Sequence, residues 1–250
     1  MSSAQRENGP AEALEGQAPE AVRNLTFGLT DTLGKAIVTG AYEDARFPTE
    51  AELAIHHSVS RSVTREAVKM LTAKGLLTAR PRRGTTVQPA SAWNLFDPDV
   101  LRWLLERKFS LSLLRQFSEL RIAIEPAAAG LAARLGDAAA IAGIAASYRR
   151  MEAAEAGGDD PLDADIAFHV AVLDASGNPF YRQFKDVVAT ALHTSIHFTN
   201  RFEGRTASLP AHGAVLAAIT AGDAEGAEVA MRTIISDVMD LFADAETRGG

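Results

Sequence analysis

The chain has 250 residues, 47% hydrophobic and 23% charged, with a formal net charge of -7. That is enough for one or two domains with a sizeable core, and no apolar run approaches the roughly 20 residues that cross a bilayer, so no membrane partner is expected. Cysteine is absent, which excludes disulfides, thiolate metal sites and thiol nucleophiles, and without a basic segment leading into an apolar one no secretory signal is read and a cytoplasmic setting is expected.

Residues 1–23 are rich in Ala, Glu, Gln, Gly and Pro and bury too little to offset ordering; they read as a disordered arm. Residues 24–89 read as a compact DNA-binding unit. Leu29, Leu33, Ile37 and Val38 fall three to four apart on a first helix that Gly40 ends. Thr49 with Glu52 is a capping box for a short second helix whose apolar residues are Leu53 and Ile55. Ser60 caps a third, with Val63, Ala67, Met70 and Leu71 facing inward and Gly75 stopping it. Leu76–Ala79 and Thr85–Gln88 alternate across Arg80–Gly84 as a hairpin with a basic tip. That order is a winged helix-turn-helix. Ser60, Arg61, Ser62, Thr64 and Arg65 crowd hydroxyls and guanidiniums at the start of the third helix, the chemistry that grips phosphates and reaches guanine edges.

Residues 90–98 read as a linker carrying Trp93 and Phe96, candidates for packing between domains. Residues 99–245 then read as an antiparallel bundle of six or seven helices. Leu113, Phe117, Leu120 and Ile124 keep helical spacing; Asp160-Pro161 and Asn178-Pro179 each pair a cap with Pro at the first helical position; Gly177 closes the helix between them. Asp223 caps a last helix through Val229, Ile234, Ile235, Val238 and Leu241. The fold class expected is mainly α. Charge is unevenly spread: residues 25–89 carry nine Lys/Arg against six Asp/Glu, residues 90–250 fourteen against twenty-two. A locally basic head can therefore bind a duplex while an acidic body keeps the molecule in solution.

Four blocks in order resemble the GntR family of bacterial transcription regulators: Phe47-Pro48-Thr49-Glu50-Ala51-Glu52-Leu53, Val59 to Ala67, Lys74-Gly75-Leu76-Leu77, and Arg83-Gly84-Thr85-Thr86-Val87. The helical remainder resembles the FCD ligand-binding domain of the FadR subfamily, through Glu119-Leu120-Arg121, Glu125-Pro126, Asp165 with His169, Ser176 to Pro179, and His212. Trp93 to Leu101 is similar to the linker of regulators of sugar-acid (galactonate-type) catabolism. The resemblance implies a homodimer on a palindromic double-stranded DNA operator, with Arg61 and Arg65 at bases or phosphates and Ser60, Ser62 and Thr64 at phosphates. Arg82, Arg83, Gly84 and Thr85 bring the wing to the DNA. Ala51 stands where many relatives carry Arg or Lys, so the operator sequence does not carry over. The bland reading of each Arg alone is a solvated side chain.

Asp165 and His169 stand four apart, which stacks them on one helix face about 6 Å apart along the axis. A carboxylate and an imidazole so placed can chelate a divalent cation. The resemblance adds His212 as a third ligand and expects a fourth His where this chain has Ile234. Zinc is the first choice of metal, nickel or manganese the others, and an effector carboxylate can complete the shell. The competing readings are a metal-free polar pocket and a core histidine. His193 and His197 form a second i, i+4 pair that could compensate for the missing ligand. Arg121 needs an anionic partner, either Glu125 or Glu119 or an effector carboxylate; the resemblance favours the effector, places His212 beside it, and counts Asn178 with these residues although its side chain is first a helix cap. The function expected is a repressor released by a small sugar acid. A metal-dependent hydrolase or isomerase using the Asp/His cluster is the alternative, though no separate general base or nucleophile elbow is visible. A third reading is an architectural DNA-binding protein whose bundle only dimerises.

Overall fold

The computed structural model describes residues 20–43, 45–80, 84–107, 111–193 and 208–248. The N-terminal unit is built from α1 (Glu20–Val38), α2 (Glu50–His56), α3 (Arg61–Ala73) and a hairpin of β1 (Leu77–Arg80) with β2 (Gly84–Val87), paired antiparallel from Leu77↔Val87 to Arg80↔Gly84. Helix α1 starts at Glu20, so the arm read over 1–23 is already helical at its end; residues 1–19 lie outside the described residues. The capping box forms: Glu52 N donates to Thr49 Oγ1 and Thr49 N to Glu52 Oε2. Ser60 Oγ accepts from Val63 N and caps α3. Leu29, Leu33, Ile37, Leu53, Val63, Ala67, Leu71 and Leu76 close the core. Ile55 is not among them. It is 81% exposed, because i and i+2 on a helix cannot share a face with Leu53. Val68 is buried and Met70 only partly so. Gly75 turns the chain at φ +80°, and a Cβ there would meet the Ala92 carbonyl oxygen.

A single 3-10 turn (Ala90–Ala92) leads to α4 (Pro98–Arg107), whose first turn is capped by Asp97 Oδ1 accepting from Asp99 N and Val100 N. This helix is buried on two sides. Val100 and Trp103 enter the core of the N-terminal unit; Leu101 and Leu105 pack with Leu114, Val187, Ala191 and Phe242. The Trp103 ring lies flush on α1 at Gly34, where any Cβ would overlap it, and its indole N–H donates to Asp31 Oδ1 at 2.8 Å. Lys74 Nζ bridges Asp97 and Asp99 at 2.8 and 2.9 Å. Trp93 stays with the winged unit, its indole donating to Gln88 O, whereas Phe96 reaches out edge-on to Phe184 at 5.5 Å.

The second unit contains α5 (Leu111–Leu135), α6 (Ala138–Glu155), α7 (Pro161–Ala175), α8 (Pro179–Gln183), α9 (described over 185–193), α10 (Leu209–Ala221) and α11 (Ala224–Arg248). Asp160 and Asn178 cap α7 and α8 as the Asp-Pro and Asn-Pro signals require; Asp223 accepts from Gly226 N at the start of α11. Pro126 sits inside α5 and cannot donate to the Ile122 carbonyl one turn back. Arg232 of α11 donates to that carbonyl instead, at 3.4 Å. α7 lies between α5 and α6 and is apolar nearly all round, with Ala164, Phe168, Val172 and Leu173 in the main core. Val229 is exposed rather than inward, and Ala227, Met231 and Phe242 are fully buried residues of α11 outside the stripe read from spacing. Among the described residues no helix is long and apolar enough to cross a membrane.

Candidate functional site

Two places carry chemistry. The first is the outer face of α3. Arg61 and Arg65 are exposed there, and the Ser60 and Ser62 hydroxyls share a 2.8 Å hydrogen bond. Arg65 Nε lies 3.4 Å from Glu50 Oε2 on α2, a partner that sequence spacing did not single out. Thr64 is different and corrects the expectation of a phosphate contact. It is fully buried, and its hydroxyl donates to Ser60 O at 3.2 Å. Three, four and seven residues before Ala67, Val68 and Leu71, it belongs to the inward stripe. Gly84 opens β2 at φ +76° with open space around it, and Thr85 follows in the strand. Arg82 and Arg83 lie outside the described residues.

The second place is inside the bundle. α7 supplies Asp165 and His169 one turn apart, and α10 supplies His212 from its first turn. One ligand atom from each falls within 4.8 Å of the others, the three side chains being no more than 8% exposed. α5 adds Arg121 and Glu125, also buried. Glu125 Oε2 lies 2.6 Å from His169 Nδ1; Arg121 Nε donates to Glu125 Oε1 at 2.5 Å, and Arg121 Nη2 to Oε2 at 3.2 Å. His212 Nδ1 is 2.8 Å from Ser208 O.

These partners decide which ring nitrogens carry protons. A backbone carbonyl only accepts, so His212 Nδ1 carries the hydrogen and Nε2 is left with a lone pair. His169 Nδ1 donates to the carboxylate of Glu125 by the same logic, the 2.6 Å contact outweighing the 3.5 Å approach of Arg121 Nη2. Both Nε2 atoms then turn toward Asp165 Oδ1, at 2.9 Å from His212 and 3.8 Å from His169. The shorter of these is an ion-pair distance without a hydrogen bond: Asp165 Oδ1 and His212 Nε2 are buried and neither has a hydrogen-bond partner. Two lone pairs at 2.9 Å repel unless a positive charge lies with them, either a second proton on His212 or a cation between the three groups.

The charges around the site keep its acids ionised. Burial pushes the Glu125 carboxyl upward, but Arg121 and His169 outweigh it and hold it down at about 2. Burial likewise raises Asp165, and His212, His169 and Arg121 more than reverse it, leaving that carboxyl below its ordinary value. Ile234, at the position of the missing fourth His, is part of the apolar core with Met231 and Ile235 and offers no ligand. His193 sits at the end of the described part of α9, and His197 lies outside the described residues. Asn178 uses its Oδ1 to accept from Phe180 N as the α8 cap. Arg121 is engaged by its intrahelical carboxylate, one of the two partners open to it from spacing.

Residues 29–87 match the description "Bacterial regulatory proteins, gntR family" and residues 116–237 match the FCD domain. The uncharacterized HTH-type transcriptional regulator YieP of Escherichia coli strain K12 is 33% identical over 233 residues, 89% of this chain and 97% of the relative. The chain belongs to the GntR family. The galactonate operon transcriptional repressor of the same strain is 34% identical over 218 residues, covering 85% of this regulator and 94% of the relative. The solved structure of Lar of Listeria monocytogenes overlays with a TM-score of 0.56 over 88% of the regulator and 97% of that chain, at 19% identity, a likeness of fold. A winged DNA-binding domain joined to an FCD domain makes the regulator a transcription factor. The hydrolase or isomerase alternative drops out, because these family members are transcription regulators.

Proposed function

We propose that this GntR-family regulator is a homodimeric repressor in the cytoplasm that leaves its operator when a small organic acid binds inside the helical domain beside a divalent cation. The observation carrying the reading is the pair of facing buried atoms without a hydrogen-bond partner, Asp165 Oδ1 and His212 Nε2, with His169 Nε2 beside them. A cation there meets one anionic oxygen and two neutral imidazoles, a donor set that suits zinc and also nickel or manganese. Held by these residues, the metal would supply Lewis-acid attraction for the oxygens of a carboxylate. Asp165 brings the negative charge, and Ser208 O and Glu125 fix the two rings, while with apolar Ile234 the described residues supply three ligands. The similarity to a galactonate operon repressor supports a sugar acid as the effector class.

At the DNA end, Arg61 and Arg65 present guanidiniums to the major groove while Ser60 and Ser62 reach phosphates, with Gly84 and Thr85 leading the wing toward the backbone. Arg82 and Arg83 are assigned to the wing from sequence alone. Two such heads, one per protomer, match half-sites about one helical turn apart. The acid releases DNA only through a difference in its affinity for the two poses of the heads.

The test is a mobility shift on the DNA upstream of the regulator's own gene, with metal-loaded and chelator-treated protein and a panel of sugar acids. The expected result is selective binding that one acid class abolishes in the loaded protein alone. Absence of sequence-selective binding, or an acid response indifferent to metal, would overturn the reading.

A further inference from the structure

Among the described residues the Arg121–Glu125 pair is the most deeply buried contact between an Arg or Lys and a carboxylate, and Glu125 also faces His169 of the three converging groups. Arg121 and Glu125 form a two-point contact, Nε to Oε1 and Nη2 to Oε2, at 2.5 and 3.2 Å, the fork geometry in which a guanidinium saturates one carboxylate. The same Oε2 faces His169 Nδ1 at 2.6 Å. This fork uses two of the five guanidinium N–H groups, and the charge of the buried Arg121 is already compensated by Glu125.

We propose that Arg121 and Glu125 are positioning residues: Arg121 locks Glu125, and Glu125 holds the His169 ring with its proton on Nδ1 and its Nε2 lone pair aimed at Asp165 and His212. The effector's carboxylate is then received at the cation, the charge of Arg121 being already matched by Glu125. This rests on the metal centre proposed above for its second half, but the ring assignment itself does not need a metal. The argument is one of donors and acceptors. Ionised Glu125 can only accept and Arg121 can only donate, so the imidazole between them has one arrangement that satisfies the 2.6 Å contact. With Glu125 replaced by glutamine, the amide can present its NH₂ to Nδ1, and the ring is free to move its hydrogen to Nε2, where it blocks coordination. His212 needs no such device, because Ser208 O, a carbonyl on its own helix cap, does the same for its ring. The two rings are thus set from two different elements, α5 and the start of α10, around the Asp165 carboxylate of α7. Outer partners of this kind typically alter metal affinity about 10–100-fold when changed.

The experiment uses the full-length chain, Glu125→Gln, and the double variant Arg121→Met/Glu125→Gln, which removes both buried charges and protects against a variant that fails to fold. Long-range ¹H–¹⁵N correlations on metal-free protein report each ring's tautomer, and competition with a coloured chelator reports zinc affinity. The expected result is Nδ1–H at His169 in the parent, a shift toward Nε2–H in either folded variant with His212 unchanged, and zinc held about 10–100-fold more weakly. A His169 tautomer that is unchanged in the folded variants overturns the proposal. So does zinc affinity within twofold of the parent. A parent with Nδ1–H at His169 that takes up no zinc overturns the metal centre and leaves the ring assignment standing.

Discussion

At the scale of single residues, the close approach of Gly34 to Trp103 is a sharp steric constraint. A Cβ at position 34 would lie 2.3 Å from two ring carbons, so Gly34→Ala must tilt α4 or turn the indole away from Asp31. Overpacking of this kind costs about 1–3 kcal/mol, and urea unfolding is expected to show the loss, whereas Gly28→Ala on the same helix, with nothing within 4 Å, is expected to hold or gain stability. Glu125 makes a second prediction, on pH. Its carboxyl is held at about 2 against an ordinary 4.5, so the folded state binds its proton less readily than the unfolded chain. The stability this contributes is present above about pH 4.5 and is lost as pH falls toward 2. Relative to the double variant Arg121→Met/Glu125→Gln, the parent should therefore lose ground across that window; parallel stability curves from pH 6 to pH 2.5 by circular dichroism would contradict it.

Among the elements, what sequence made legible and what it hid divide by range. Caps are local: Thr49 with Glu52, Ser60, Asp160, Asn178 and Asp223 each state their helix start within four residues, and each is seen. Ile55 and Val229 are exposed against expectation for the opposite reason, since an apolar side chain near a helical stripe does not say which neighbours exist to cover it. Thr64 was hidden by its chemistry: a hydroxyl beside two arginines suggests phosphate, although its spacing to Ala67 and Leu71 is that of the core. In the buried centre, the i, i+4 pair Asp165 and His169 is local, but the bond from Glu125 to His169 spans 44 residues and no spacing announces it. Helix α4, from Asp99 on, falls within the stretch 99–245 that reads as bundle, yet Val100 and Trp103 pack into the core of the winged unit. Of the aromatic residues in 90–98, Phe96 reaches Phe184, while Trp103, one turn into the helix, seats α4 on the winged unit and Leu101 and Leu105 of the same helix face the bundle. Trp103→Ala is expected to remove about 3–5 kcal/mol from the winged unit and to appear in calorimetry as an early, separate transition. Trp93→Ala, which leaves α4 seated, is expected to keep a single transition and the full effector response.

For the molecule as a whole, the decisive property is that charge of opposite sign is sorted onto its two ends. The overall charge is -7, yet the 25–89 stretch has an excess of three cations, and Arg61 and Arg65 are exposed on one helix face within it. Each phosphate they neutralise releases condensed counterions, so operator affinity should fall steeply with salt, the slope counting the contacts. The pairing of Arg65 with Glu50 at 3.4 Å is an exposed contact that contributes little to folding, which leaves Arg65 available to the duplex. Arg61→Ala with Arg65→Ala should therefore leave the thermal transition nearly unchanged and abolish selective operator binding. The single variant that touches a phosphate should flatten the salt slope by about one unit, and the one that reads a guanine should instead relax sequence preference by about 1–3 kcal/mol. Fluorescence anisotropy on operator and scrambled DNA at several salt concentrations separates the two arginines. Undiminished selective binding by the double variant would mean that the duplex is read by another face of the molecule.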